Sequence, residues 1–203
     1  MIASHNSMSY LSPTKLWMKI CKPWSKCQKD DIGAQLDKGV RYFDIRIRPY
    51  KDGDTYVAHY CHNTIDYGTA DLTKSFDLIE KVSLELNGVN FFVRVTLDVR
   101  KKPNNADEMS EWFKSYVNNL QEMYPNIIFD SIKIFWDWGN DLSDENVTVT
   151  EKHWSVVDKK WYEYILSIKW FAKIHNKSYI KEYEKEHILD NPDNIALMID
   201  YIL

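Results

Sequence analysis

Between positions 41 and 48 polar and apolar side chains alternate, with Tyr42, Asp44, Arg46 and Arg48 on one side and Phe43, Ile45 and Ile47 on the other. A period of two predicts a β-strand with one apolar and one charged face. Two further short apolar runs, at 2–4 and 56–58, each lead directly into a histidine, His5 and His59. Downstream the period changes. Leu72, Phe76, Ile79, Val82 and Leu86 recur at helical spacing and predict a helix over 71–86, closed by Asn87-Gly88. Trp112, Phe113, Tyr116, Leu120 and Met123 predict another over 107–124, stopped by Pro125. Apolar runs predict strands at 90–97, 132–136 and 195–201, with a shorter one at 147–149, and helical patterns cover 158–174 and 177–189. Strands alternating with helices across short links specify a parallel sheet with crossover helices. No internal repeat or low-complexity tract interrupts this order.

Composition narrows the class. A chain of 203 residues predicts a single domain over 1–203. With 44% hydrophobic and 14% aromatic residues it is a folded globular sequence. A net charge of −4 argues against nucleic acid as a partner. Cys21, Cys27 and Cys61 have no metal-ligand spacing and are odd in number, so reduced thiols used for packing are expected. No apolar run is long enough to span a bilayer, and a strand begins directly after Met1; a cytoplasmic protein without a signal peptide is the expectation. Asn146-Val147-Thr148 and Asn176-Lys177-Ser178 are therefore glycosylation acceptors in form only.

The stretch 11–29 carries Lys15, Lys19, Lys22, Lys26 and Lys29 without one acidic residue, interleaved with Trp17 and Trp24. Such a surface suits a lipid headgroup layer, lysine meeting anionic phosphate and tryptophan sitting at the interface. An ordinary amphipathic helix with inward tryptophans and solvated lysines fits the same pattern.

The charged face of the first long strand raises the functional question. Asp44 and Arg46 are costly to bury unless they pair or line a wet cleft, and the pattern alone permits both. Ala3-Ser4-His5-Asn6-Ser7 precedes them, followed by Trp24, Cys27-Gln28 and Gln35-Leu36-Asp37-Lys38-Gly39; then come Arg41 to Arg46 and the strand ending at His59. This succession fills the first third of the chain. It resembles the X domain of phosphatidylinositol-specific phospholipase C, of the smaller bacterial type.

The resemblance implies a distorted (β/α)8 barrel, incomplete because 203 residues lie at the lower limit for that fold. It implies cleavage of phosphatidylinositol to diacylglycerol and a cyclic inositol phosphate, with His5 as general base, His59 as general acid and Asp200 orienting His5. Asp44 belongs to the same constellation. Arg46 takes the place of a carboxylate that binds calcium in the animal enzymes, so no cofactor is expected. Asn6 stands where the bacterial enzymes have aspartate, and a calcium site from Asn6, Asp44 and Asp98 is the minority alternative. His62 is a rival to His59 with a poorer offset. The segment 146–154 resembles the family's inositol-holding stretch, with Glu151 as its carboxylate and His153 or Trp154 as its ring. Asp98 and Asp137 replace basic residues of that pattern, and Tyr60 replaces a smaller residue at the mouth. The expected partner is a phosphatidylinositol-type lipid met peripherally at a membrane by a monomer. A catalytically silent lipid-binding domain is the alternative, and a glycerophosphodiesterase is disfavoured because Arg46 would oppose its metal.

Overall fold

In the computed structural model, residues 1–21, 26–137, 147–152, 168–186 and 195–200 are described. Trp24, Asn146, His153, Trp154 and the predicted helical stretch 158–167 lie outside the described residues.

Among the described residues eight strands are joined in one sheet. Six of them, β1 (Ile2–Ser4), β2 (Val40–Asp52), β5 (Phe91–Leu97), β6 (Ile127–Ile134), β7 (Thr148–Glu151) and β8 (Ile195–Ile199), run parallel in the order β6-β5-β2-β1-β8-β7. The sheet curls into the incomplete barrel expected from the chain length. The second half of β2 leaves it and pairs antiparallel with β3 (Thr55–His62), which pairs with β4 (Ile65–Thr69). Short helices α1 (Leu16–Cys21) and α2 (Ile32–Asp37) connect β1 to β2, and α3 (Leu72–Glu85), α4 (Ala106–Met123) and α5 (Ile168–Glu186) serve the later strands. Among the described residues no helix is long and apolar enough to cross a membrane.

The two faces of β2 divide the interior. Phe43, Ile45 and Ile47, all fully buried, join Phe76, Ile79, Phe113 and Val117 of α3 and α4 in the main core. The opposite face points into the barrel, where Tyr42 packs with Ala3, Phe92, Ala196 and Met198 as an apolar floor. Above that floor the inward positions become Asp44 and Arg46 on β2, Arg94 and Thr96 on β5, His5 after β1 and Asp200 after β8. All are buried. The turn into β2 depends on Gly39, whose φ of 79° lies in the left-handed region that glycine adopts without a Cβ penalty.

Several predicted boundaries move: the strand predicted over 132–136 ends at Ile134 and that predicted over 195–201 ends at Ile199. β6 starts at Ile127 rather than 132, because a polar residue inside it, Asp130, hides the apolar run. That carboxylate is satisfied in the floor, accepting from Tyr42 Oη at 3.0 Å and from Val147 N at 3.0 Å. The helices predicted over 158–174 and 177–189 are, over the described part, one helix that passes through Asn176. Asn176 is buried and donates to the carbonyl of Asp200, so its amide ties α5 to β8 instead of ending a helix or offering a glycan site.

Candidate active site

The site is built where β1, β2, β5 and β8 end at the same rim. After Ser4 the chain turns: Asn6 sits at φ 41°, a left-handed conformation asparagine tolerates better than most residues, and this points His5 into the barrel. The turn is held from both sides. Asn6 N donates to Asp44 Oδ2 at 3.0 Å and Ser7 N to the Asp44 carbonyl at 2.8 Å. Gln28 Nε2 donates to the carbonyls of His5 (3.1 Å) and Ile199 (3.0 Å), joining β1 to β8 from above.

His5 has a partner on each ring nitrogen. Its Nδ1 lies 2.7 Å from Asp200 Oδ1, and its Nε2 lies 3.0 Å from Arg46 Nη2. A guanidinium has donors only, so Nε2 must accept, and the ring proton must sit on Nδ1, facing the carboxylate. His5 is thereby fixed as a neutral imidazole with its lone pair aimed at the guanidinium. Arg46 in turn places Nε on Asp44 Oδ2 at 3.1 Å, and Arg94 Nε lies 3.1 Å from Asp44 Oδ1. Burial by itself would raise the Asp44 carboxyl, yet the two guanidiniums hold it well below the usual carboxylate range. Arg46 is likewise held above its ordinary value: burial acts against the charge and Asp44 outweighs it. Of the alternatives left open by the sequence, the structure shows the ion pair: Asp44 is paired with Arg46, and with Arg94 as well, in one buried network.

The second histidine at His5 is His62. Its ring meets His5 edge to face with centroids 5.7 Å apart. His59 is turned elsewhere: Nδ1 bonds Asp66 Oδ1 at 3.0 Å and the ring stacks on Tyr50 at 4.2 Å. A register irregularity between Tyr60 and Cys61 shifts the residues after it, so His62 does not fall on the side that plain alternation from His59 gives it. The following turn, with Asn63 at φ 57°, is pinned by Arg48, which donates to the carbonyls of Asn63 and Asp98, and by Asp98 Oδ2, which accepts from Asn63 N at 2.8 Å.

The remaining candidates divide. Asp98 supports the His62 turn with one oxygen, while its Oδ1, the Asn6 Oδ1 and the Thr96 Oγ1 are buried without a hydrogen-bond partner and line the same region. Glu151, about one-third exposed, accepts from Arg94 Nη1 at 3.0 Å and extends the charged network toward β7. Asp137 is exposed on a 3-10 turn after β6. Lys15, just before α1, is exposed, as are Leu16, Trp17, Lys19 and Ile20 on it, and only Met18 of that helix's described side chains is buried. The reading of inward-packed tryptophans therefore fails for Trp17.

Sequence reasoning gave no role to Arg94 and read Cys27 only as a packing thiol and as part of the Cys27-Gln28 match. Arg94 left a trace, a lone cation inside Phe91-Phe92-Val93-Arg94-Val95. For its place beside His62, Cys27 left none. It is brought in by Ser9 Oγ, which accepts from Cys27 N at 2.9 Å and from Gln28 N at 2.8 Å, and its Sγ lies 3.7 Å from His62 Nδ1.

No family model matches the sequence, and no curated protein matches it. Solved structures do match, at the level of fold. The phosphatidylinositol-specific phospholipase C of Listeria monocytogenes aligns over 100% of this chain and 88% of its own, with a TM-score of 0.60 at 12% identity. A double mutant of the Staphylococcus aureus phosphatidylinositol-specific phospholipase C aligns over 98% and 84%, with a TM-score of 0.62 at 17% identity. A single mutant of the same enzyme gives 0.60 at 17% identity over the same shares. The chain therefore has the fold of bacterial phosphatidylinositol-specific phospholipases C.

Proposed function

We propose that this protein cleaves phosphodiesters of phosphatidylinositol-type lipids by acid–base catalysis, with Arg46 supplying the charge that a metal supplies elsewhere. The observation that carries the reading is the chain Asp200–His5–Arg46–Asp44, in which a neutral imidazole and a fixed cation face one buried spot. When a phosphodiester enters, an anionic oxygen takes the Arg46 donor now spent on His5 Nε2, and the freed lone pair removes the proton of the inositol 2-hydroxyl. That oxygen bonds to phosphorus and the bond from phosphorus to the glycerol oxygen breaks. The leaving oxygen takes a proton from the second imidazole, giving diacylglycerol and a cyclic inositol phosphate. We assign that acid to His62 rather than His59, on its ring contact with His5.

The substrate class rests on the fold and on surface chemistry. The matched structures are named for phosphatidylinositol, and one Staphylococcus aureus structure concerns the modulation of that enzyme's membrane binding. In this chain Leu16, Trp17 and Ile20 of α1 are exposed beside Lys15 and Lys19, in the segment that follows β1 and His5. Exposed apolar side chains flanked by lysine suit contact with an anionic membrane. The acceptor-rich lining of Asn6, Thr96, Asp98 and Glu151 suits hydroxyl groups better than further phosphates.

The test is release of water-soluble inositol phosphate from vesicles containing labelled phosphatidylinositol, with and without EGTA. Equal release in both is expected. A folded protein that releases nothing overturns the enzymatic reading, and release only with calcium overturns the role given to Arg46.

A further inference from the structure

One nitrogen of His5, one of His62 and the Sγ of Cys27 lie within 4.8 Å of one another. The separation from Cys27 Sγ to His62 Nδ1 is 3.7 Å. A tetrahedral zinc with Zn–S of about 2.3 Å and Zn–N of about 2.0–2.1 Å sets sulfur and nitrogen about 3.6 Å apart, so this edge already has ligating dimensions. The ligands are also held in place. The Cys27 backbone is tied to Ser9, the His62 turn to Arg48 and Asp98, and His5 to a carboxylate on Nδ1, which is the arrangement that orients metal-binding imidazoles.

We infer that His5, Cys27 and His62 form a binding site for a thiophilic divalent cation, with zinc as the type ion, which shuts off the site by occupying its imidazoles. The second half of this statement rests on the proposed function; the binding half does not. Two imidazoles and a thiolate select zinc-like ions over calcium or magnesium, which need oxygen cages. His5 must exchange one present partner, Asp200 or Arg46, for the metal, and either exchange removes the oriented neutral base. Arg46 opposes a cation but can stay on Asp44 through Nε, and the carboxylates of Asp44 and Asp200 offset its charge. At neutral pH Cys27 is a closed thiol rather than a nucleophile: burial first, and the Asp200 carboxylate second, push it well above its ordinary value.

Cobalt(II) reports the site without reference to activity. The full-length protein is expected to bind one cobalt with tetrahedral d–d bands and a sulfur-to-cobalt charge-transfer band, both abolished by excess zinc. Cys27→Ser should remove the charge-transfer band, Cys61→Ser should keep it, and His62→Gln should weaken binding by on the order of a hundredfold, since loss of even an outer partner costs about ten- to a hundredfold. No charge-transfer band at millimolar cobalt, or a band that survives Cys27→Ser, overturns the proposal. Should Cys27→Ser not fold by circular dichroism, unchanged affinity in His62→Gln overturns it by itself. In the vesicle assay zinc should inhibit at the concentration at which it binds, with chelator restoring turnover. Binding without any turnover leaves the metal site standing and defeats the proposed function; turnover without binding does the reverse.

Discussion

Two histidine–aspartate pairs, His5–Asp200 and His59–Asp66, have different surroundings. His5–Asp200 is 2.7 Å long with both side chains under 5% exposed, and His59–Asp66 is 3.0 Å long with the imidazole one-fifth exposed. The first pair presents its other nitrogen to a guanidinium; the second stacks its ring on Tyr50. Asp66 also accepts from Gly68 N and Thr14 Oγ1, so its carboxylate secures the hairpin to the segment before α1. A carboxylate on an imidazole is common to both pairs; under the proposed function, what the second nitrogen meets decides the use of each.

The sharpest break of this comparison is to delete each histidine in turn. His5→Ala is expected to reduce turnover of phosphatidylinositol by about 10³-fold or more, the upper range for a positioned base. His59→Ala should stay within about threefold of the parent, as a group outside the reacting atoms does. A large loss from His59→Ala with His62→Ala near normal would restore the acid role to the sequence-predicted residue.

Next in size is the carboxylate beneath His5. Asp44 faces two guanidiniums, at 3.1 Å each, with its side chain fully buried. Asp44→Asn leaves Arg46 without its carboxylate and Arg94 with Glu151 alone, and should cost about 3–5 kcal/mol of stability, as breaking buried pairs does. Asp66→Asn should cost less, because its histidine is partly solvated. The same contrast has a pH signature. Asp44 is held well below its unfolded value, which is about 3.9 for aspartate. Below that pH the unfolded chain takes up a proton that the folded chain does not, so this stability is present above about pH 3.9 and lost as pH falls through the folded value. Urea midpoints between pH 6 and pH 3 should fall more steeply for the parent than for Asp44→Asn.

His62→Ala is expected to lose about a hundredfold in turnover, less than His5→Ala because a leaving alkoxide can still be protonated by water. A leaving group of lower pKa needs less help. The defect should therefore shrink on a substrate with a phenolic leaving group, while that of His5→Ala should not.

These contrasts also mark what the sequence could reveal. The two faces of β2 were readable because alternation is enforced by the pleat, and Asp44 and Arg46 were readable because charge on an inward face is costly. His62 was obscured by one irregularity after Tyr60, which reverses the side on which every later residue falls. The position of Cys27 beside His62 could not be read, since a serine hydroxyl eighteen residues earlier places it. The long helix through Asn176 was split in the reading because asparagine ordinarily competes with helix, and only the tertiary bond to Asp200 removes that competition.

The smallest expected effect compares the two ends of the barrel. Leu16, Trp17 and Ile20 are exposed on α1 at the end of the strands that carries His5, whereas Leu84, Leu86 and Met123 are exposed near the entries to β5 and β6, at the far end. Both sets are apolar, but only the first is flanked by lysines without nearby acids in sequence. If the mouth meets a membrane, Trp17→Ala should lower activity on anionic vesicles about tenfold, corresponding to about 1.4 kcal/mol of lost interfacial burial. Activity on a soluble short-chain substrate should not change, since the helix touches no reacting group. Met123→Ala removes comparable apolar surface at the wrong end and should alter neither activity. Equal losses for the two variants on vesicles would mean that exposed apolar area in general, and not the face around the catalytic rim, governs access to lipid.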